Sequence, residues 1–255
     1  MSGNPNGKHY FELDNLSYAW AEALRVVLAH GEAAPLIVSV TGFKNSAPEE
    51  EPTIRSALDA ALVAADLQTC ESVSNTIFPN SLWNPAAPAT HLYNRYTAIL
   101  PRLARASRKN QRGLYFDRLT SGGPPGKENQ LDFILSTFKA RAGVRRSALQ
   151  LAIFNPARDH STAAQLGFPC LQHVTIAPTR EGISLNAFYA TQYVVERAYG
   201  NYLGLCRLGH FVAHELERPL VRMTCFTGIS LHDTKISKAK LKGVLSAIDA
   251  ALGTP

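Results

Sequence analysis

The residue with the widest chemistry open to it is Cys170, in GFPCLQHVTI (167–176), where a proline and a cysteine stand at the mouth of an alternating, strand-like run. A thiolate is a strong nucleophile, and a nearby cation lowers the thiol pKa enough to populate it. A thiol is also a small hydrophobe that cores bury freely, so packing is the competing role. His173 does not complete a Cys-His dyad, because an odd separation along a strand sends the two side chains to opposite faces. His210 and His214 stand one helical turn apart, as zinc ligands do, with Glu215 beside them. The pattern is not H-E-x-x-H and no third ligand is assigned, so no metal is expected.

Two further candidates lie within reach in sequence. Asn201 carries a carboxamide, which offers a donor and an acceptor on one edge and so matches the edge of a base; its alternative is to cap a helix break after Gly200. Arg145 and Arg146 could bind an anion, or simply decorate a helix end where cations favour the negative pole.

These residues need elements to hold them. Apolar positions at Leu16, Trp20, Leu24, Val27 and Leu28 repeat at helical spacing and stop at Gly31, which predicts a helix over 15–31. PLIVSVTG (35–42) reads as a buried strand, and EEEPTIRSALDAALVAADL (49–67) as a helix with acids and a proline at its start. Residues 72–86 are too rich in Asn and Pro for a long regular element. HLYNRYTAILPRLARA predicts a helix broken at Pro101, GLYFDRL (113–119) an extended segment, and SGGPPGKENQ (121–130) a connecting loop. A helix over 129–143 leads through the extended VRRSALQLAIFNP to a hairpin of 170–178 with 182–191. The run 194–217 is the longest and most apolar helix candidate, hence central. A strand over 219–231 and an amphipathic helix over 237–252 complete the chain.

At 255 residues, the chain suits a single large domain of mixed α/β class. Four cysteines far apart, with no C-x-x-C pair, argue against a disulfide framework and for a cytoplasmic setting. The polar N-terminus and the lack of any long apolar stretch predict no membrane association. A net charge of +6 indicates attraction to anions, with the densest local source at RLARASRKNQRG (102–113). That stretch reads as a solvated helix end running into a basic loop in preference to a polyanion groove, so nucleic acid is not the favoured partner.

The order helix, Arg-Arg, strand, Pro-Cys strand, hairpin strand, Asn-bearing central helix resembles the second half of thymidylate synthase and its pyrimidine hydroxymethylase relatives. The corresponding stretches are VRRSALQLAIFN (Arg145, Arg146, Asn155), FPCLQH (Cys170), ISLNAFYATQY (183–193) and AYGNYLGL (Asn201). Cys170 and Asn201 are 201 − 170 = 31 residues apart, the family's spacing. The resemblance covers about 113–233, with 1–112 divergent and 234–255 a C-terminal helix. Departures are specific: Leu171 follows the cysteine where the family has His, Ala190 stands in place of a phosphate-binding arginine, Tyr193 in place of an acid that orients the base, and the family's closing tail is not recognisable.

The resemblance implies a thymidylate synthase-like mixed sheet packed by helices around a long buried helix, in a homodimer with shared sites. It implies one-carbon transfer to C5 of a pyrimidine nucleotide, with methylenetetrahydrofolate as donor, Cys170 as nucleophile and Asn201 as the amide that reads a uracil-type ring. Arg145 and Arg146 would contact phosphate across the dimer, with Ser184 or Thr191 assisting, and Arg141 with that pair would lower the thiol pKa. The departures support an alternative, a catalytically inactive protein of this fold that binds a nucleotide or nucleic acid. A larger pyrimidine-containing substrate would also fit the missing arginine.

Overall fold

The computed structural model describes residues 9–106, 110, 114–123, 128–141, 143–160, 169–232 and 235–253. The chain begins with β1 (Tyr10–Leu13), α1 (Leu16–His30), β2 (Glu32–Ala33), β3 (Leu36–Val40), β4 (Phe43–Lys44) and β5 (Ala47–Pro48). Helices α2 (Pro52–Ala64), α3 (Cys70–Ile77), α4 (Ala89–Ala106), α5 (Tyr115–Ser121) and α6 (Gln130–Ala140) follow. Then come β6 (Gln150–Ala152), α7 (Pro156–Asp159), β7 (Leu171–Pro178), β8 (Ile183–Tyr193), α8 (Tyr199–Glu215), β9 (Leu220–Leu231) and α9 (Lys242–Leu252).

The main sheet is mixed and seven-stranded, in the order β1-β3-β9-β8-β7-β6 with β2 added beside β9. β7 and β8 form the expected antiparallel hairpin. β8 and β9 run parallel, as strands joined by a crossover helix must. That helix is α8, with thirteen of its seventeen residues buried, which makes it the centre of the molecule. Its glycines are there for contact. A Cβ at Gly200 would lie 2.5 Å from Val73 Cβ, one at Gly204 2.8 Å from the Ser74 carbonyl oxygen, so α3 packs backbone to backbone against it.

One sheet face, with Val38, Val40, Leu185, Tyr189, Met223 and Cys225, is sealed in the core. The other stays accessible and carries Phe188, 41% exposed and stacked on Phe226 at 5.4 Å.

Three readings need correction. GLYFDRL is not extended: α5 runs through it, because Phe116 and Leu119 at helical spacing are both wholly buried. Helix α4 continues through Pro101 to Ala106. The Asn- and Pro-rich 72–86 includes most of α3, whose N-cap Thr69 accepts from Ser72 N–H, before a 3-10 segment at Asn80–Leu82. Part of the basic stretch 102–113 and part of the loop 121–130 lie outside the described residues. Among the described residues no helix is long and apolar enough to cross a membrane.

Candidate functional site

Cys170 occupies a bend directly before β7, and its carbonyl accepts from Ala190 N–H at 3.0 Å, which fixes it to β8. It is the one cysteine of the four that is exposed; Cys70, Cys206 and Cys225 are buried. The thiol lines a cleft of about 420 Å³ with Phe154, His160, Pro169, Gln172, Ala190 and Thr191. A cleft of that volume is the size that takes a small molecule.

The wall formed by Phe154 and His160, whose rings meet edge to face at 5.3 Å, is held from behind. Arg118 and Asp159 form a buried, two-pronged ion pair at 2.6 and 2.8 Å. Arg118 also donates to the Ile153 carbonyl, and Asp159 accepts from Asn155 N–H at 2.8 Å. The pair thus clamps both ends of 153–159. The segment carries its own start signal, since Asn155 caps α7 through Ala157 N–H.

Two tyrosines feel the thiol, and one arginine acts on it. The Tyr115 hydroxyl lies beside the backbone N–H groups of Cys170 and Leu171, and its pKa is raised by burial and by the neighbouring thiol. Tyr189 is wholly buried, and burial, with Tyr115, Cys225, Cys170 and Tyr202 adding to it, holds its pKa well above the ordinary phenol value. Its hydroxyl has no hydrogen-bond partner among the described residues. Arg197 sits on a five-residue π-helical turn, Val194–Ala198, that joins β8 to α8; such turns recur at functional sites. It donates to Gln68 Oε1 at 2.6 Å and Glu196 Oε1 at 2.7 Å. Although Cys170 is open to solvent, the protein packed around its sulfur raises the thiol pKa, and the Arg197 charge opposes that rise. The three interior cysteines are raised by burial as well, Cys225 to about 12.

Of the predicted site residues, the structure brings together Cys170 and Thr191. Asn201, 4% exposed, lies in the first turn of α8 and is not among the residues lining the cleft. Ser184 is near the start of β8, six residues from Ala190, which at roughly 3.3 Å per residue places it about 20 Å along the strand. Arg145 and Arg146 are exposed ahead of β6, and neither lines the cleft. Arg141 is exposed at the end of α6. His173 is engaged elsewhere, its Nε2 2.7 Å from Gln150 Oε1. His210 and His214 point at Trp83, and no group of three metal-ligating side chains occurs among the described residues.

Sequence reasoning missed Phe154, His160, Tyr115, Tyr189 and Arg197. Only the last had a visible signal: Glu196-Arg197 is a charged pair inside the apolar run VVERAYGNYLGL. No protein-family model matches the chain, and no curated protein matches it.

Proposed function

We propose that this chain is a thymidylate synthase-like enzyme that transfers a one-carbon group to C5 of a pyrimidine nucleotide. The observation that carries the reading is that the Pro-Cys thiol, alone of four, opens into a cleft of ring-binding size with a cation acting on it. The thiolate adds to C6 of the ring, forming an S–C6 bond and moving the C5–C6 π electrons towards O4. Cys170 would hold the ring while C5 is nucleophilic towards the one-carbon unit that a folate would supply, and loss of the C5 proton with departure of Cys170 as thiolate would restore the C5–C6 double bond. By resemblance Asn201 would be the amide for O4 and N3–H, but it does not line the cleft, so the cleft lends that role no support.

The donor, by resemblance, is methylenetetrahydrofolate. The cleft matches a nucleotide in size and is too small for nucleotide and folate together, so no step is derived through the folate. A homodimer is supported by the accessible sheet face with its stacked Phe188 and Phe226, and by Arg145 and Arg146, exposed and without an ion-pair partner among the described residues. Phe188→Asp should halve the mass seen by light scattering; an unchanged mass removes that face as the interface. A cytoplasmic setting agrees with four unpaired cysteines.

The test is tritium release from a 5-tritiated uracil nucleotide, present in the native protein and absent in Cys170→Ala. The raised thiol pKa favours a second reading, a nucleotide- or nucleic-acid-binding protein without turnover. Saturable nucleotide binding with no tritium release would select it.

A further inference from the structure

A second cavity, of about 400 Å³, opens beside Trp83 where α8 meets the β4–β5 hairpin, and it shares no lining residue with the Cys170 cleft. Its charged groups Glu50 and Arg207 are held by Arg55 and Glu71. The wall of the Cys170 cleft is held in a different way, at the free edge of the sheet.

β6 is an end strand and pairs with β7 alone. Such a strand points the N–H and C=O of every second residue outward, where they need partners or invite another chain. On β6 the outward groups of Ala152 are taken by one side chain. Gln130, in the first turn of α6 and 8% exposed, donates from Nε2 to the Ala152 carbonyl at 2.9 Å and accepts from Ala152 N–H at Oε1 at 3.0 Å. Its other amide hydrogen goes to the Arg118 carbonyl at 2.9 Å. The carboxamide therefore does what a neighbouring strand would do, with both of its N–H groups spent.

Ile153 and Phe154 donate to the Gln172 carbonyl on the opposite side, at 3.0 and 3.1 Å, and Phe154 and Gln172 line the cleft. Gln130 thus grips the wall two residues before Phe154, while Arg118, whose carbonyl it also binds, grips it at Ile153 and Asp159. Gly122 makes room for the amide: a Cβ there would lie 2.5 Å from the Gln130 amide nitrogen and 2.9 Å from the Arg118 carbonyl oxygen. Its φ of −100° is open to any residue, so close contact and not backbone conformation calls for glycine.

We propose that Gln130 is a positioning residue for the Cys170 cleft, standing in for a strand at the edge of β6 and so fixing the Phe154 wall that sets which rings reach the thiol, on the reading that this cleft is the substrate site.

Cys170 is the one exposed cysteine of four, so alkylation reports on the cleft without any turnover. The reagents are iodoacetamide, which is small, and N-phenylmaleimide, which carries a ring, each rate divided by that for free glutathione. In Gln130→Met the maleimide-to-iodoacetamide ratio should rise about fivefold, as a wall loosened by one hydrogen bond of ~1 kcal/mol allows. Gly122→Ala, which displaces the amide from the other side, should do the same. Ile248→Ala, a core change in α9 that lowers stability elsewhere, should keep the native ratio. A ratio unchanged in both Gln130→Met and Gly122→Ala, or one that rises equally in Ile248→Ala, overturns the proposal. Tritium release separates this role from the reaction: a native protein that releases none, with variants that still shift the ratio, keeps Gln130 in its role and removes only the transfer reaction. Where the native protein does release tritium, Gln130→Met should raise KM for the nucleotide and leave kcat unchanged, and a lower kcat at unchanged KM overturns the assignment.

Discussion

The cleft at Cys170 and the cavity at Trp83 are nearly equal in volume, about 420 and 400 Å³, but are made of opposite materials. The Trp83 cavity has charged groups in its lining, each already matched by a partner. The described lining of the Cys170 cleft has no Lys, Arg, Asp or Glu; its ion pair, Arg118–Asp159, is buried behind the wall, and the cation that acts on the thiol reaches it from the turn beyond β8. Paired charges in a lining give a preorganised grip with little field. A nearly uncharged lining leaves the state of a single thiol to burial, which raises its pKa, set against the one cation, Arg197, that lowers it.

The sharpest way to break the contrast is to remove the thiol. Cys170→Ala should lower tritium release by a factor of about 10⁴ or more, the cost of losing a nucleophile, while leaving thermal stability unchanged. Cys206→Ala, in the core, should do the reverse, with unaltered turnover and a lower melting temperature.

The second test attacks the wall. Asp159→Asn leaves Arg118 buried without its carboxylate and should cost about 3–5 kcal/mol in urea denaturation. Burial acts to raise the Asp159 pKa, but the bonds from Arg118 and Asn155 N–H outweigh it and hold the carboxyl below its ordinary value. Its contribution to stability is therefore complete above about pH 4 and is lost as pH falls through the depressed native value. The native protein should lose urea resistance below pH 4, and Asp159→Asn should flatten that loss.

A smaller effect should follow from Arg145→Ala with Arg146→Ala. If both bind phosphate across the dimer, each charge-assisted bond is worth ~1.5–3 kcal/mol, and nucleotide affinity should fall at least tenfold, with no change for the free nucleoside. Equal affinities for nucleotide before and after the change would place the phosphate elsewhere.

The smallest effect concerns Arg197. Iodoacetamide should modify Cys170 with a midpoint above the ordinary thiol range, because burial raises the pKa. Arg197→Gln removes the opposing charge, so the rate at fixed pH should fall roughly threefold to tenfold, as losing ~1 kcal/mol of attraction implies. An unchanged rate would show that Arg197 does not govern the thiol.

Legibility along the chain followed periodicity. α1, α6, α8, the β7–β8 hairpin and β9 were readable because each repeats its apolar positions over many residues. α5 was not, because seven residues with two aromatics and a Gly-Leu start look extended until Phe116 and Leu119 find the same core. Pro101 reads as a breaker, but α4 is exposed along much of that turn and accommodates it. Within the site, Cys170 was identifiable by residue type and strand position, whereas Thr191 entered only through the resemblance. Tyr115 and Arg197 are 55 and 27 residues from the cysteine, and no local pattern links them to it.

By itself the sequence determined that this chain folds as one mixed α/β unit around a long apolar helix, and that a Pro-Cys pair opens a strand. Both follow from local spacing, which depends only on the period of helix and strand. Tertiary structure decided that Cys170 is exposed while three other thiols are sealed, that Arg197 supplies its cation, and that Asn201 lies outside the lining of the cleft. Those are outcomes of which strands pair and how closely α3 and α8 approach, and such long-range packing leaves no periodic trace along the chain.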